Sequence, residues 1–426
     1  MFWLYRLLSI LIAPLLGWRL QRAETDAARR AEGRRQRRGN IQPAASAPLW
    51  IHAASVGEVN AIRPLAEALL KRYRDVPLVI STFTVTGALQ VERLFGDRAQ
   101  HRFLPLDTPG ATRRWLGTLS PRLGLIAETE IWPELFHQAN KQGLTLALVN
   151  ARLSARGLER SRRFGRLFAQ ALQTVEIALC QTQTDADRLV ELGLPSERAQ
   201  VVGNLKFDAP VSSDVLKQAQ EFRAQWGARR TWIAGSTRPD EEEVLIGAHQ
   251  ELLETIPDLL LVLAPRHPER IDEVIEQIEA AGLRHQRLGE PVSDDTPLVL
   301  VDRIGVLQAC YAAGAVAFVG GSLVEIGGHN LLEPAALGKP VMTGPHLHNQ
   351  REMADALGAA DALTVVNDSE SIADAVGDFL SDPGAALTKG RAALAVVEAG
   401  RGSVKSTLAA VEPLIAIGSP ERRAGN

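Results

Sequence analysis

Cysteine is almost missing from this chain. Cys180 and Cys310 are the only two, far apart, one in an apolar strand-like run and one in a helix-like run. That excludes a disulfide framework and a cysteine-based zinc site, and it suits a reducing compartment. An excess of charge is lacking too: 47 Lys and Arg stand against 50 Asp and Glu, a net −3. No global field therefore draws the chain to nucleic acid, and no nucleic-acid partner is expected. Metal-ligand spacing is also absent. His346 and His348 stand two apart without a third ligand at a matching spacing, and the Asp185-Ala186-Asp187 triplet falls at a helix start.

Long hydrophobic runs are scarce except at the beginning. Residues 1–20 are apolar apart from Arg6, Arg19 and a few small polar residues, with Trp3, Tyr5 and Trp18 towards the ends. This length is near the ~20 residues that cross a bilayer, and aromatics suit its two interfaces. From Arg19 to Arg38, eight arginines face three carboxylates, a net +5 over twenty residues. A basic flank after an apolar run keeps that side cytoplasmic and attracts anionic headgroups. A cleaved signal peptide carries its charge before the apolar core. Residues 1–20 thus read as a membrane anchor, spanning or interfacial, and 21–48 as a basic collar and linker.

The remaining chain is long enough for two cores. Buried apolar runs alternate with helix-period segments, beginning with a strand at 49–54 and a helix at 60–74, and the pattern restarts after 208. Such alternation predicts parallel sheets covered by helices. The expected domains are 49–208 and 209–415, α/β and Rossmann-like, followed by a tail at 416–426. Open parallel sheets bind ligands at the carboxyl ends of their strands, and both halves carry their least ordinary loops there, which predicts a cleft between them.

In the first half, Ser55-Val56-Gly57-Glu58 ends the first strand. Glu58 reads equally as a general base raised in pKa by burial, or as a carboxylate favouring a helix N-terminus. Glu128 and Glu130 follow another strand; two apart in an extended segment, they point the same way. Asn150 and Arg152 end a third strand, and Lys206 lies near the expected domain boundary, placed to neutralise developing charge. In the second half, Ser236 sits in a small-residue loop after a strand. Pro265-Arg266 ends the next strand, and a guanidinium there binds two phosphate oxygens at once. The stretch 320–334 holds Gly320, Gly321, Ser322, Gly327, Gly328, His329, Asn330, Leu331, Leu332 and Glu333 between a strand and a helix expected near Pro334. Its glycines and helix start suit an anion, and Glu333 suits ribose hydroxyls.

These motifs together resemble the 3-deoxy-D-manno-oct-2-ulosonic acid (Kdo) transferases of lipopolysaccharide assembly. The carriers are His52-Ala53-Ala54-Ser55-Val56-Gly57-Glu58, Glu128-Thr129-Glu130-Ile131-Trp132-Pro133, Asn150-Ala151-Arg152-Leu153-Ser154, Leu205-Lys206-Phe207-Asp208, Pro265-Arg266-His267-Pro268-Glu269-Arg270 and the 320–334 stretch. The resemblance implies a GT-B fold and an inverting transfer of Kdo from CMP-Kdo to lipid A precursor at the cytoplasmic face of the inner membrane. It implies no metal and no cofactor beyond the donor. It also implies Glu58 as general base, with Glu128 and Lys206 stabilising the transition state and Glu130 a further candidate for that role. Pro265, Arg266, Ile304, Gly305, Val306 and Asn330 to Glu333 would hold CMP. Ser236, Gly321, Ser322 and His329 are further candidates. The family usually has Gly-Glu-Leu where Gly305-Val306-Leu307 stands, and often Arg where Ile326 stands. Another GT-B sugar-nucleotide enzyme and a non-catalytic membrane-bound relative are the alternatives.

Overall fold

The computed structural model describes residues 1–21, 24, 26–293 and 295–417. Arg22 of the basic collar and residues 418–426 of the expected tail lie outside them. The chain divides into two units, Met1–Ala209 with Gly400–Asn426, and Pro210–Ala399.

The first unit is built on seven strands: β1 (Leu49–His52), β2 (Leu78–Thr82), β3 (Gln100–Phe103), β4 (Leu123–Ala127), β5 (Leu146–Ala151), β6 (Val175–Cys180) and β7 (Ala199–Val201). They are ordered 3-2-1-4-5-6-7, and every pairing is parallel. Helices cover both faces, which explains why the central strands read as continuous apolar runs instead of alternating ones. Trp50 packs on Trp115 on one face, their rings 5.1 Å apart. Its neighbour Ile51 joins Ile62, Leu65 and Leu69 on the other.

The second unit repeats the plan with β8 (Thr231–Thr237), β9 (Leu260–Pro265), β10 (His285–Arg287), β11 (Leu298–Leu300), β12 (Val316–Val319), β13 (Val341–Thr343) and β14 (Leu363–Val365). Their order is 10-11-9-8-12-13-14, again all parallel. The short polar β10 had no apolar run to betray it. Each sheet reverses its winding direction once, at β1/β4 and at β8/β12. These are the switch points where the loops at the strand ends diverge and leave room for a ligand.

The end of the chain requires a correction. Residues 400–415 were expected in the second domain, but the Ser403–Ile417 helix packs in the first unit. Val411 and Ile415 join the core around Ile62 and Leu65, and Glu412 pairs with Arg72 at 2.7 Å. Asp208 fastens its start by accepting from the Gly402 and Val404 N–H groups, both at 2.7 Å. That is an N-cap interaction made by a residue distant in sequence.

Candidate active site

At the β1/β4 switch point the first unit gathers a group of carboxylates. Glu58 lies in the first turn of the Val56–Arg72 helix, capped by Ser55. Its Oε2 accepts the Ala54 N–H at 2.7 Å and its Oε1 the Ser55 hydroxyl at 2.9 Å. The two readings of Glu58 thus coincide: the contacts that tie it to the helix start also fix its orientation. Burial, then the negative charge of Glu130, push its carboxyl up to about 7 despite the Ala54 and Ser55 donors, with Glu128 adding to the rise. A carboxyl held there is poised to take a proton near neutral pH.

Glu128 and Glu130 do not share an extended segment as expected. Glu128 has φ +52°, so the chain turns at the end of β4. A non-glycine residue in this region costs about 1 kcal/mol or more, which the surrounding structure must hold in place. The turn is tied back by the Glu128 N–H donating to Val149 O at 3.0 Å. Burial raises the Glu128 carboxyl, while the positive charges of Lys206 and Arg152 oppose the rise. Glu130 has other company. Its Oε2 accepts from Trp132 Nε1 at 2.9 Å and lies 3.8 Å from His52 Nε2. Burial acts to raise this carboxyl but is outweighed by His52 and Trp132, so Glu130 stays below the usual range. It remains an anion beside Glu58.

His52 escaped the sequence reading as a separate candidate. It is fully buried at the end of β1, and its Nδ1 lies 2.9 Å from Ser81 Oγ. Asn150, also with a positive φ of +51°, accepts the Leu205 N–H at 3.0 Å. It thereby fixes the Leu205–Asp208 turn that carries Lys206. The signal for Asn150 was its place at a strand end; the fold shows that it works through the lysine's backbone.

At the β8/β12 switch point of the second unit, the glycine turn contains a surprise. Glu241, fully buried at the start of the Glu241–Thr255 helix, inserts its carboxylate into the turn. It accepts from the N–H groups of Gly321 (2.7 Å), Ser322 (2.8 Å) and Leu323 (2.8 Å), and from Arg238 N–H at 2.9 Å. The anion expected at Gly321 and Ser322 is therefore the chain's own. Gly321 (φ +69°) is required there, since a Cβ would also strike the His329 ring at 2.7 Å. The helix expected near Pro334 is a single turn, Leu332–Ala335, too short to contribute much dipole.

The rim of this turn is exposed at Glu325, Ile326 and Asn330. Arg266, at the end of β9, has an exposed side chain. Its charge acts on both His329 and Glu333. His329 accepts from Arg238 Nε at 3.1 Å, and Arg238 Nη1 lies 2.6 Å from His267 Nε2. Burial, then the charges of Arg238 and Arg266, lower His329 to about 4, so it is neutral. Glu333 is raised by burial, against Asn330 Nδ2 at 3.1 Å and the charge of Arg266. Leu331 is buried, and Asn330 Oδ1 accepts the Leu332 N–H at 3.2 Å. Ser236 takes φ +59° at the irregular end of β8. Pro265 is buried as the last residue of β9. Ile304 is exposed, Gly305 takes φ +95°, and Val306 lies buried before the Leu307–Ala313 helix. Among the described residues, no group of three or more His, Cys, Asp or Glu is placed to hold a metal ion.

The sequence model described as "3-Deoxy-D-manno-octulosonic-acid transferase (kdotransferase)" matches residues 30–209. The chain is 37% identical over 418 residues to the 3-deoxy-D-manno-octulosonic acid transferase of Bordetella pertussis, covering 94% of this chain and 96% of that one. It is 36% identical to the enzyme of the same name from Haemophilus influenzae, covering 86% and 87%. Among solved structures, the UDP-GlcNAc 2-epimerase of Neisseria meningitidis bound to UDP-GlcNAc superposes with a TM-score of 0.60, covering 85% of this chain and 100% of that one, at 14% identity. That likeness concerns the fold and agrees with the GT-B architecture of two Rossmann-like sheets. With the relatives matching nearly end to end, and with Glu58, Glu128 and Lys206 in one unit and Arg266 in the other, the chain belongs to the 3-deoxy-D-manno-octulosonic acid transferases, a family of glycosyltransferases.

Proposed function

We propose that this Kdo transferase moves Kdo from CMP-Kdo to a lipid A precursor, with inversion at the anomeric carbon, at the cytoplasmic face of the inner membrane. The observation that carries the reading is Glu58, a carboxyl oriented by two hydrogen bonds and held at about 7. As the acceptor hydroxyl oxygen forms its bond to the anomeric carbon, Glu58 takes the hydroxyl proton. The anomeric carbon–oxygen bond breaks, and its electron pair leaves on the phosphate of CMP. Positive charge that develops on the sugar is stabilised by the carboxylates of Glu128 and Glu130, while Lys206 offsets the negative charge of Glu128. Arg266 binds the phosphate as charge accumulates on it. The rim from Asn330 to Glu333 and the turn from Ile304 to Val306 bind the nucleoside. The chemistry uses proton transfer and fixed charge, which no metal is required to supply. An apolar N-terminal helix followed by arginines supports attachment to the membrane where a lipid acceptor resides.

The test is to incubate the full-length protein with CMP-Kdo and a lipid A precursor, following CMP release and the product's mass. The expected product is heavier by whole Kdo residues. CMP release without a glycosylated lipid, or no reaction at all, overturns the assignment of donor and acceptor.

A further inference from the structure

The Phe2–Gln21 helix is turned the wrong way for a helix in water. Its half-buried positions are 2, 5, 6, 9, 13, 16, 17 and 20, a spacing of three and four that traces one face along the whole helix. That inward face carries Tyr5, Arg6, Ser9, Ala13 and Gly17 together with the apolar Phe2, Leu16 and Leu20. Tyr5 donates to Asp107 at 2.5 Å, and Arg6 grips the fully buried Glu134 with Nε at 2.6 Å and Nη2 at 2.9 Å. Phe2 packs on His137 at 5.0 Å. At the other end, Gly17 approaches Leu106. The outward face is apolar except for Arg19 in the last turn. Trp3, Leu4, Leu7, Leu11, Leu15 and Trp18 are 43–74% exposed. A row of that kind in contact with water is strongly unfavourable, and it is the surface that lipid covers.

A spanning helix runs away from its soluble domain and exposes every face to lipid or to other helices. This one is bonded to the first unit through Tyr5 and Arg6, and its half-buried face continues to residue 20, about 30 Å for twenty residues. Pulling it off would leave Glu134 buried without its guanidinium, a costly state. Beside its C-terminal half lies a groove of about 360 Å³, with Pro14 and Trp18 on the helix side and Arg34, Arg38 and Arg114 on the other. An apolar wall facing guanidinium groups matches the boundary between acyl chains and headgroup phosphates.

We propose that the Phe2–Gln21 helix is an in-plane anchor: docked on the first unit by its polar face, it seats its apolar face in the interfacial layer of an anionic phospholipid bilayer. Arg34, Arg38 and Arg114 then meet the headgroup phosphates. Glu134 and Asp107, which hold the anchor, also meet the helix directly after the Glu128–Trp132 turn: Asp107 accepts the N–H groups of Glu134 and Leu135 at 3.0 and 2.8 Å. Membrane contact and the carboxylate group of the first unit are thus joined through one helix start. The proposal stands independently of donor and acceptor identity.

The test uses the full-length protein with vesicles of phosphatidylcholine, with or without phosphatidylglycerol. A fluorophore is attached in turn to Leu4→Cys, Leu11→Cys and Leu15→Cys; both native cysteines are buried. Bromine placed at different depths in the lipid then reports where each probe lies. The in-plane anchor predicts the same shallow depth at all three sites and binding to the anionic vesicles stronger by about tenfold or more. It also predicts that Leu11→Glu, which alters only the outer face, weakens vesicle binding by about tenfold or more with the melting temperature unchanged. A deep probe at residue 11 with residue 4 reachable from the opposite leaflet overturns the proposal, as does failure to bind vesicles. Equal binding to neutral and anionic vesicles overturns the role given to the arginines.

Discussion

The acidity of Glu58 offers a prediction that depends on a particular neighbour. A carboxyl moved from its ordinary value of 4.5 to about 7 has its ionised form disfavoured by about 3 kcal/mol. Burial supplies the largest part and the charge of Glu130 the next. As a base Glu58 works only when ionised, so kcat/KM rises with pH through about 7 and is about tenfold lower at pH 6 than at pH 8. Glu130→Gln removes the like charge but keeps an oxygen for the Trp132 N–H. That charge contributes less of the rise than burial does, about 1 kcal/mol, so the acidic limb shifts down by roughly one pH unit. The assay is initial-rate CMP release from pH 5 to 9, native and variant side by side, with the melting temperature as a check on folding. An acidic limb that stays in place, or moves up, in folded Glu130→Gln refutes the electrostatic account of Glu58.

Two further outcomes follow from the second unit. Arg266→Ala should raise KM for CMP-Kdo by about tenfold to a hundredfold, the loss of a charge-assisted hydrogen bond, as measured by steady-state kinetics; an unchanged KM removes Arg266 from the donor site. Glu241→Ala should leave four backbone N–H groups without their acceptor and lower stability by about 3 kcal/mol or more in urea unfolding. A loss of donor binding with stability unchanged would mean that Glu241 serves the ligand and not the fold.

The repeating α/β pattern and the strand-end positions of Glu58, Glu128, Asn150, Ser236 and Arg266 were legible in the sequence. Apolar runs buried on both faces of a parallel sheet stand out, and their ends must share one edge. Partners chosen across the fold were not legible. Glu241 reads as an ordinary carboxylate in a helix's first turn until β8 and β12 become neighbours and bring the glycine turn onto it. Glu128 and Glu130 read as an extended pair because nothing local announces a left-handed residue at 128. Asp208 reads only as the end of a motif at the expected domain boundary, whereas it caps a helix nearly two hundred residues later. The apolar N-terminal run reads as a membrane anchor but does not show which of its faces packs on the first unit, because Tyr5 and Arg6 find Asp107 and Glu134 only in the folded unit.

The central claim is that Glu58 removes the acceptor's proton, and Glu58→Gln tests it most directly. Glutamine keeps an oxygen for the Ala54 N–H, so the helix start should survive and the melting temperature should stay near native. With saturating CMP-Kdo and lipid A precursor, single-turnover transfer should then fall by about a hundredfold to ten-thousandfold. Near-native transfer by a folded Glu58→Gln protein would contradict the account.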